Sequence, residues 1–370
     1  MQALIIGLTE RHGMAQEQLK HPPEGVEYRF LDYLTQNSPV LKSPMKGFMC
    51  KYDDTDCDLV EAVLTPANTR KPWLYSLARY EEAIAFSFCG LPLPKFMRVA
   101  YMNYLFSKPS FKGLLFWSEA GRQTLFSYGK VKNKSVIDKS YVVYPTIGQA
   151  PEEHIQYSGD QQVNFLFNGN FFIKGGANVV DVFEKLQQIY DGIKLRLCCD
   201  IDIDFHTQDA EMRSDYLNRI EKNPDITMGR VSRETFVEEL LPKTDIYILP
   251  TYADAFGFAV LEAMSYGIPV VSTNYMAMPE IIEHEANGFL IDIEKYPCDS
   301  LFKGCVVDHL PQDFREDINQ QLQSYLTQLI ESPALRKVFG KRGIEICLEK
   351  FSIQQRQKKM SDIYKHLDLK

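Results

Sequence analysis

Thr244-Asp-Ile-Tyr-Ile-Leu-Pro-Thr-Tyr-Ala-Asp-Ala-Phe-Gly-Phe-Ala-Val-Leu-Glu-Ala-Met-Ser-Tyr-Gly-Ile-Pro-Val-Val-Ser-Thr273 is the stretch whose reading decides the fold. Its apolar run Ile246–Pro250 predicts a buried strand. Phe258–Tyr266 predicts a helix, and Pro269–Thr273 a second strand opened by proline. Strand, loop, helix, turn and strand make one βαβ unit. Asp254 falls in the loop at the first strand's carboxyl end. Glu262 falls about one turn into the helix, with seven residues between the two carboxylates. Gly257 lets the backbone approach a ligand closely. The free amides of residues 256–259 open the helix and suit a phosphate. One segment therefore offers two carboxylates that can accept from sugar hydroxyls, flanking an anion site. The loop alone has a plainer reading. Every such unit carries a glycine, and an acidic residue at a helix start is often only a helix-dipole partner.

The same alternation extends outward in both directions. Ala3–Leu8, Gly113–Trp117 and Ser140–Tyr144 predict strands. Leu74–Phe88, Phe96–Phe106 and Glu119–Tyr128 predict helices. A polar stretch, Gln149–Gln162, with Pro151 and Gly159, reads as a linker. Beyond it Val163–Asn168 and Ile193–Cys198 predict strands, and Asn178–Tyr190 and Glu234–Leu241 helices. Helices over 312–331, 333–350 and 352–368 close the chain. Strands alternating with helices mean parallel sheets covered on both faces. The expected fold class is α/β, with two Rossmann-like domains, 1–155 and 156–351. Ligands of such sheets sit beyond the carboxyl ends of the strands, so a central cleft between the halves is expected.

Composition agrees with an ordinary globular chain: 370 residues, 45% hydrophobic and 24% charged. The start lacks a basic flank and a long apolar run, and no window reaches the roughly 18 apolar residues of a membrane span. Eight cysteines show no CxxC pair and read as reduced thiols. These features lead to a cytoplasmic expectation. The net charge of −8 argues against nucleic-acid binding. Residues 91–140 stand apart, with nine Lys or Arg against two acidic residues, so the rest of the chain carries −15. Nine aromatics share that window. A basic, aromatic surface suits peripheral contact with the inner face of an anionic membrane, or an anionic acceptor. A solvated basic face over a normal core is the alternative.

Taken whole, Asp254-Ala-Phe-Gly-Phe-Ala-Val-Leu-Glu262-Ala-Met resembles the donor-binding motif of family 4 glycosyltransferases. That family has the two-domain GT-B fold and retains anomeric configuration. Its signature has Glu where this chain has Asp254. The string Met278-Pro-Glu-Ile-Ile-Glu-His-Glu-Ala-Asn-Gly-Phe-Leu-Ile291, the helix Ser332–Phe351 and Ser118-Glu-Ala-Gly-Arg122 are similar to further family segments. The likeness is dense over 160–351 and thin over the first 110 residues. It implies that Glu262 holds the ribose hydroxyls and that Asp254 contacts the transferred sugar. It also implies that the backbone of Ala255, Phe256, Gly257, Phe258 and Ala259 binds sugar and diphosphate. Phe167-Asn-Gly169-Asn170-Phe-Phe-Ile-Lys174-Gly175-Gly resembles the family's F-V-G-R-x-x-x-x-K-G, whose Arg and Lys grip the diphosphate. Lys174 fits the Lys, while Asn170 stands where Arg is the rule and the spacing is one residue short. Gly229-Arg230-Val231-Ser-Arg-Glu resembles the loop beside the base, making Arg230 and Val231 candidate base contacts. The final helix, 352–370, is implied to cross back to the first domain.

The resemblance therefore implies retaining transfer of a sugar from a UDP- or GDP-linked donor to a glycan, lipid-linked or small-molecule acceptor entering between the domains. No cofactor and no metal are implied. The candidate catalytic residues are Lys174, Asp254 and Glu262. No side chain stands out as a nucleophile, which fits attack on the face from which the diphosphate departs. Asp200-Ile-Asp-Ile-Asp204 contains D-x-D, a metal motif of another fold, but alternation of Asp and Ile also marks a half-exposed strand. Glu81 and the loop Thr9–Gly13 are candidates on the acceptor side. The alternatives are a GT-B epimerase, a phosphorylase, or a nucleotide-sugar-binding scaffold of weak activity. A phosphorylase needs a pyridoxal-binding lysine context that the sequence lacks.

Overall fold

The computed structural model describes residues 3–11, 13–32, 34, 52–63, 66–67, 69–84, 87–88, 91–155, 162–205, 207, 209–296 and 312–367. The chain divides into two compact units, Met1–Thr146 with Lys350–Lys370, and Ile147–Glu349.

The first unit runs β1 (Leu4–Leu8), α1 (Gly13–Lys20), β2 (Val26–Phe30), β3 (Leu59–Val63), β4 (Trp73–Leu77) and α2 (Tyr80–Ala83). A two-strand hairpin follows, β5 (Ser87–Phe88) and β6 (Leu91–Pro92). Then come α3 (Lys95–Phe106), β7 (Phe111–Phe116), α4 (Glu119–Ser127), α5 (Lys134–Asp138) and β8 (Ser140–Val142). The second unit runs β9 (Val163–Asn168), α6 (Gly176–Leu186), β10 (Ile193–Cys198), α7 (Ala210–Lys222), β11 (Ile226–Met228), α8 (Arg233–Thr235) and β12 (Ile246–Leu249). It continues through α9 (Phe258–Ser265), β13 (Val270–Thr273), α10 (Met278–Ile281), β14 (Gly288–Ile291), α11 (Gln312–Glu331) and α12 (Pro333–Lys350). The last helix, α13 (Ile353–His366), belongs to the first unit.

Each unit holds a six-stranded, all-parallel sheet. The first has the order β2-β1-β3-β4-β7-β8, the second β11-β10-β9-β12-β13-β14. The second is a doubly wound sheet whose order reverses between β9 and β12, and a crevice opens at such a switch point. Its central strands are apolar along their length because helices cover both faces, as in Ile246–Leu249 and Val270–Thr273, where every residue is buried. In the first unit Trp73, Tyr75, Phe106 and Phe111 fill one face of the sheet. On the other face Met360, Ile363 and Tyr364 of α13 pack with Ile6, Leu8, Leu59 and Leu115. A buried polar cluster fixes the helix there. Glu61 accepts from Gln18 at 3.0 Å and from the Tyr364 hydroxyl at 3.3 Å, and that hydroxyl meets Tyr28's at 2.8 Å.

Several expectations are corrected. Leu74–Phe88 does not form one helix: its first residues belong to β4, paired between β3 and β7, and among its described residues only Tyr80–Ala83 is helical. Complete burial on both faces erases the period of two, so a central parallel strand is easily misread as a helix. The helix predicted at Glu234–Leu241 starts as α8 and passes into a wider π turn over Phe236–Leu240. Asp200–Asp204 is a turn rather than a strand: Asp200's amide donates to Asp204 at 2.7 Å, and Asp200 accepts from the amides of Asp202 and Ile203. The predicted linker is in part no linker. His154 stacks on Tyr266 with ring centroids 6.3 Å apart, inside the second unit, so the division falls earlier, after Thr146. Residues 156–161 of that stretch, and Cys50, Cys89, Cys298 and Cys305, lie outside the described residues. Cys57, Cys198, Cys199 and Cys347 are free, buried thiols. No described helix is long and apolar enough to cross a membrane.

Candidate functional site

The carboxyl ends of β9 and β12, the two strands at the switch point, carry the residues that matter. After β9 the chain turns through Gly169 and Asn170 into Lys174 and the start of α6. After β12 it turns through Asp254 into α9. The two turns meet. Lys174 Nζ forms an ion pair with Asp254 and donates to the Ala253 carbonyl at 3.1 Å. Both side chains are about one-fifth exposed, 21% and 18%. Asp254's other oxygen accepts from the Phe256 amide at 3.1 Å, which fixes the carboxylate beside the open end of α9.

Glycines at the helix entries make this meeting possible. Gly175 precedes α6 with φ of 79°, and a Cβ there would lie 2.3 Å from the Pro250 carbonyl oxygen. Gly257 precedes α9 with φ of 101°, and its Cβ would lie 2.6 Å from Met278 Cε. Both conformations are left-handed, and L side chains rarely adopt them. Free amides at a helix entry favour an anion, although the first amide of α6, that of Gly176, is already taken by the Phe171 carbonyl at 2.6 Å.

Glu262, one turn into α9, is 8% exposed. Burial pushes its carboxyl above the ordinary range, and Arg233 of α8 pulls against that shift through an ion pair. Arg233 is itself 75% exposed and so is tethered mainly by this carboxylate. A pocket of about 250 Å³ is lined by Asn168, Gly169, Arg230, Val231, Arg233 and Glu262, among others. Lys174 adjoins it, because its side chain packs on Gly169: a Cβ there would stand 3.5 Å from Lys174 Cγ. Tyr247 of β12 is near enough to both carboxylates to feel their charge. Its hydroxyl donates to Asn168, and burial together with the charges of Glu262 and Asp254 raises its pKa well above normal.

Of the residues singled out in the sequence, Gly169, Arg230, Val231 and Glu262 share one pocket, with the Lys174–Asp254 pair beside it. Ala255–Ala259 form the entry to α9, with Phe256 buried and Phe258 41% exposed. Asn170 does something else. Its side-chain oxygen accepts from the Ile173 amide at 3.3 Å, within the turn that delivers Lys174. Arg233 was missed, since an arginine in a polar helix start reads as a solvated charge. Its only sequence signal is proximity to the Gly229–Val231 loop. Arg196 was missed too. It donates to the Gly229 carbonyl at 2.9 Å and so holds that loop. Other resemblant segments have structural roles. Ser118 caps α4 by accepting from Gly121 at 2.9 Å, and Asn287 accepts from the Glu283 amide at 2.7 Å to close the loop before β14.

On the first unit, Thr9 joins β1 to β3, accepting from the Val63 amide at 3.2 Å. His12, in the same candidate loop, lies outside the described residues. Glu82, not Glu81, accepts from the Ala78 amide, at 2.9 Å. Burial pushes Glu82's pKa up to about 7. No group of three or more His, Cys, Asp or Glu among the described residues is placed to hold a metal ion.

A family model described as glycosyl transferases group 1 matches residues 162–301. An uncharacterised 41.2 kDa protein in the cps region of Klebsiella pneumoniae is 25% identical over 169 residues, 42% of this chain and 42% of its own length. The chain matches less than half the length of the curated relatives to which it is similar. A glycosyltransferase from Rickettsia africae has a similar structure, with TM-score 0.63 at 16% identity, covering 99% of this chain and 98% of that one. Anabaena HepE, in complex with UDP and glucose, gives TM-score 0.61 at 16% identity over 98% and 92% of the two chains. The fold is that of the GT-B glycosyltransferases.

Proposed function

We propose that this chain is a glycosyltransferase that moves a sugar from a nucleoside-diphosphate sugar to an acceptor with retention of configuration. The observation that carries the reading is the pairing of Asp254 and Glu262 with a cation each at one switch-point crevice: Lys174 with Asp254, and Arg233 with Glu262. Such a site is nearly neutral when empty. A donor brings sugar hydroxyls, which the carboxylates can accept, and a diphosphate, which the released cations can neutralise. Glu262 takes the ribose hydroxyls, and Asp254 the hydroxyls of the transferred sugar. Lys174 and the first amides of α9 meet the diphosphate, where negative charge grows as the glycosidic bond breaks. Arg233, once Glu262 turns to the ribose, supplies the second cation that Asn170 does not. Arg230 and Val231 border the base.

The bond from the anomeric carbon to the diphosphate oxygen breaks, and the bond to the acceptor oxygen forms on the same face. The acceptor proton passes to the departing phosphate oxygen. Side-chain cations and amides hold the leaving group without a metal. HepE's complex with UDP and glucose supports a UDP-linked sugar over a GDP-linked one. The acceptor class, glycan, lipid-linked or small molecule, is left to the first unit. A panel of UDP- and GDP-sugars, assayed for slow hydrolysis and for thermal stabilisation, tests the proposal. Donor-dependent release of the nucleoside diphosphate supports it. Binding without any turnover would give the chain to the scaffold reading instead.

A further inference from the structure

Lys174 and Asp254 stand on two separate turns, so their ion pair needs the turns held in register. A backbone bond ties them first. The Tyr252 amide, two residues before Asp254, donates to the carbonyl of Ile173, the residue before Lys174, at 3.1 Å. The Tyr252 side chain then anchors this tie in the core, where it is 2% exposed. Its ring meets Phe314 of α11 edge-on, with centroids 5.3 Å apart. Its hydroxyl donates to the side-chain oxygen of Asn178, in the first turn of α6.

Asn178 is a polar residue in an apolar place. It is fully buried, as are its neighbours Val179, Val180, Val182 and Phe183. An amide there is costly unless its polar atoms are paired. Here both donors and the acceptor are engaged. The nitrogen donates to the Arg315 carbonyl at 3.2 Å and to the Asn319 side-chain oxygen at 2.7 Å, both on α11. Two acceptors on α11 fix the amide's direction, so its oxygen faces Tyr252 and the tyrosine must donate. Burial raises the pKa of Tyr252, which keeps the proton in place. A leucine and a phenylalanine would fill the same space. The hydrogen-bonded chain adds direction, because it fixes the ring and with it the backbone before Asp254.

We propose that Asn178 and Tyr252 are positioning residues for the Lys174–Asp254 pair. The amide holds the hydroxyl, the ring holds the turn, and the turn presents Asp254 to Lys174. Both side chains are buried and act through that pair rather than on the donor. The inference rests on the proposed reading of Lys174 as the cation that meets the departing diphosphate.

Two variants of the full chain separate positioning from stability. Tyr252→Phe leaves the Asn178 oxygen buried and unpaired, so the thermal midpoint should fall. Asn178→Leu/Tyr252→Phe makes both partners apolar at nearly constant shape, and partly exposed Asn319 can pair with water, so the midpoint should return toward the parent's. A purely structural role would bring turnover back with stability. Positioning predicts kcat about ten- to a hundredfold below the parent in both variants, with KM for the donor changed less than about threefold. An unchanged kcat in Tyr252→Phe, or a kcat restored in the double variant, overturns the proposal. If one variant fails to fold, the other decides. A second readout needs no turnover: carbon–proton NMR of the chain labelled at its lysine ε-carbons. The Lys174 signal, identified by its loss in Lys174→Ala, should move in both variants while other lysine signals stay. A Lys174 signal that does not move overturns the proposal. One that moves, in a protein that turns over no donor, sinks the proposed reaction and leaves the positioning standing.

Discussion

Glu262→Gln isolates the charge of the central carboxylate at constant shape. In the free protein this group is 8% exposed and paired with Arg233, whose own exposure of 75% limits the pair to about 0–1 kcal/mol. On the proposed reading the carboxylate accepts two ribose hydroxyls of the bound donor, each charge-assisted bond contributing about 1.5–3 kcal/mol. The amide retains one neutral acceptor bond of about 0.5–1.5 kcal/mol. Subtracting that bond and the broken ion pair leaves a loss of about 2–4 kcal/mol, or about 30- to 1,000-fold in Kd. Isothermal titration of the nucleoside diphosphate reads this directly. The fold should survive, because burial disfavours the charged form of Glu262 and an amide removes that cost. A thermal midpoint equal to or above that of the parent checks it. A Kd within about threefold of the parent, in a folded variant, would refute the placement of the ribose.

Lys174→Ala removes the cation beside Asp254 and should lower kcat by about 100- to 1,000-fold with a smaller change in KM, measured by steady-state donor turnover. Arg233→Ala should lower kcat/KM although it frees Glu262; tighter donor binding with unimpaired turnover would reduce Arg233 to a plug. Glu82 has a folded pKa of about 7 against an ordinary 4.5, so its contribution to stability is full at low pH and is lost as pH rises through that window. Between pH 5 and pH 8 the loss should be about 2–3 kcal/mol in urea unfolding, and Glu82→Gln should remove that slope. An equal slope in both proteins argues against it. Gly175→Ala places a Cβ against a backbone oxygen at a left-handed residue, and a fall of several degrees in Tm is expected, since no side chain can yield.

The second unit was largely legible in the sequence. Val163–Asn168 and Ile193–Cys198 carry clear apolar runs bounded by polar turns, and the observed strands keep those bounds. Asp254, Gly257 and Glu262 could be singled out together because their spacing is tied to one strand-loop-helix path. The pairings were not. Lys174 and Asp254 stand 80 residues apart, and no local pattern announces that two strand ends meet. Arg233 and Arg196 escaped notice for the same reason: their roles come from the fold bringing distant loops together. In the first unit the fully buried β4 concealed its period and was read as a helix. The edge strand Val26–Phe30 is short and half polar, and it went unread. The resemblance implies the return of the last helix to the first unit, but not the contact that fixes it there, Tyr364 on Glu61 across 303 residues.

The central claim is cleavage of a nucleotide sugar with retention, and proton NMR of the sugar released during slow donor hydrolysis tests it most directly. Spectra taken before mutarotation should show the same anomer as the donor, formed alongside free nucleoside diphosphate, with the signal lost in Glu262→Gln and Lys174→Ala. First appearance of the opposite anomer would contradict retention. No release from any donor, by a protein that folds and binds the nucleotide, would contradict transfer itself.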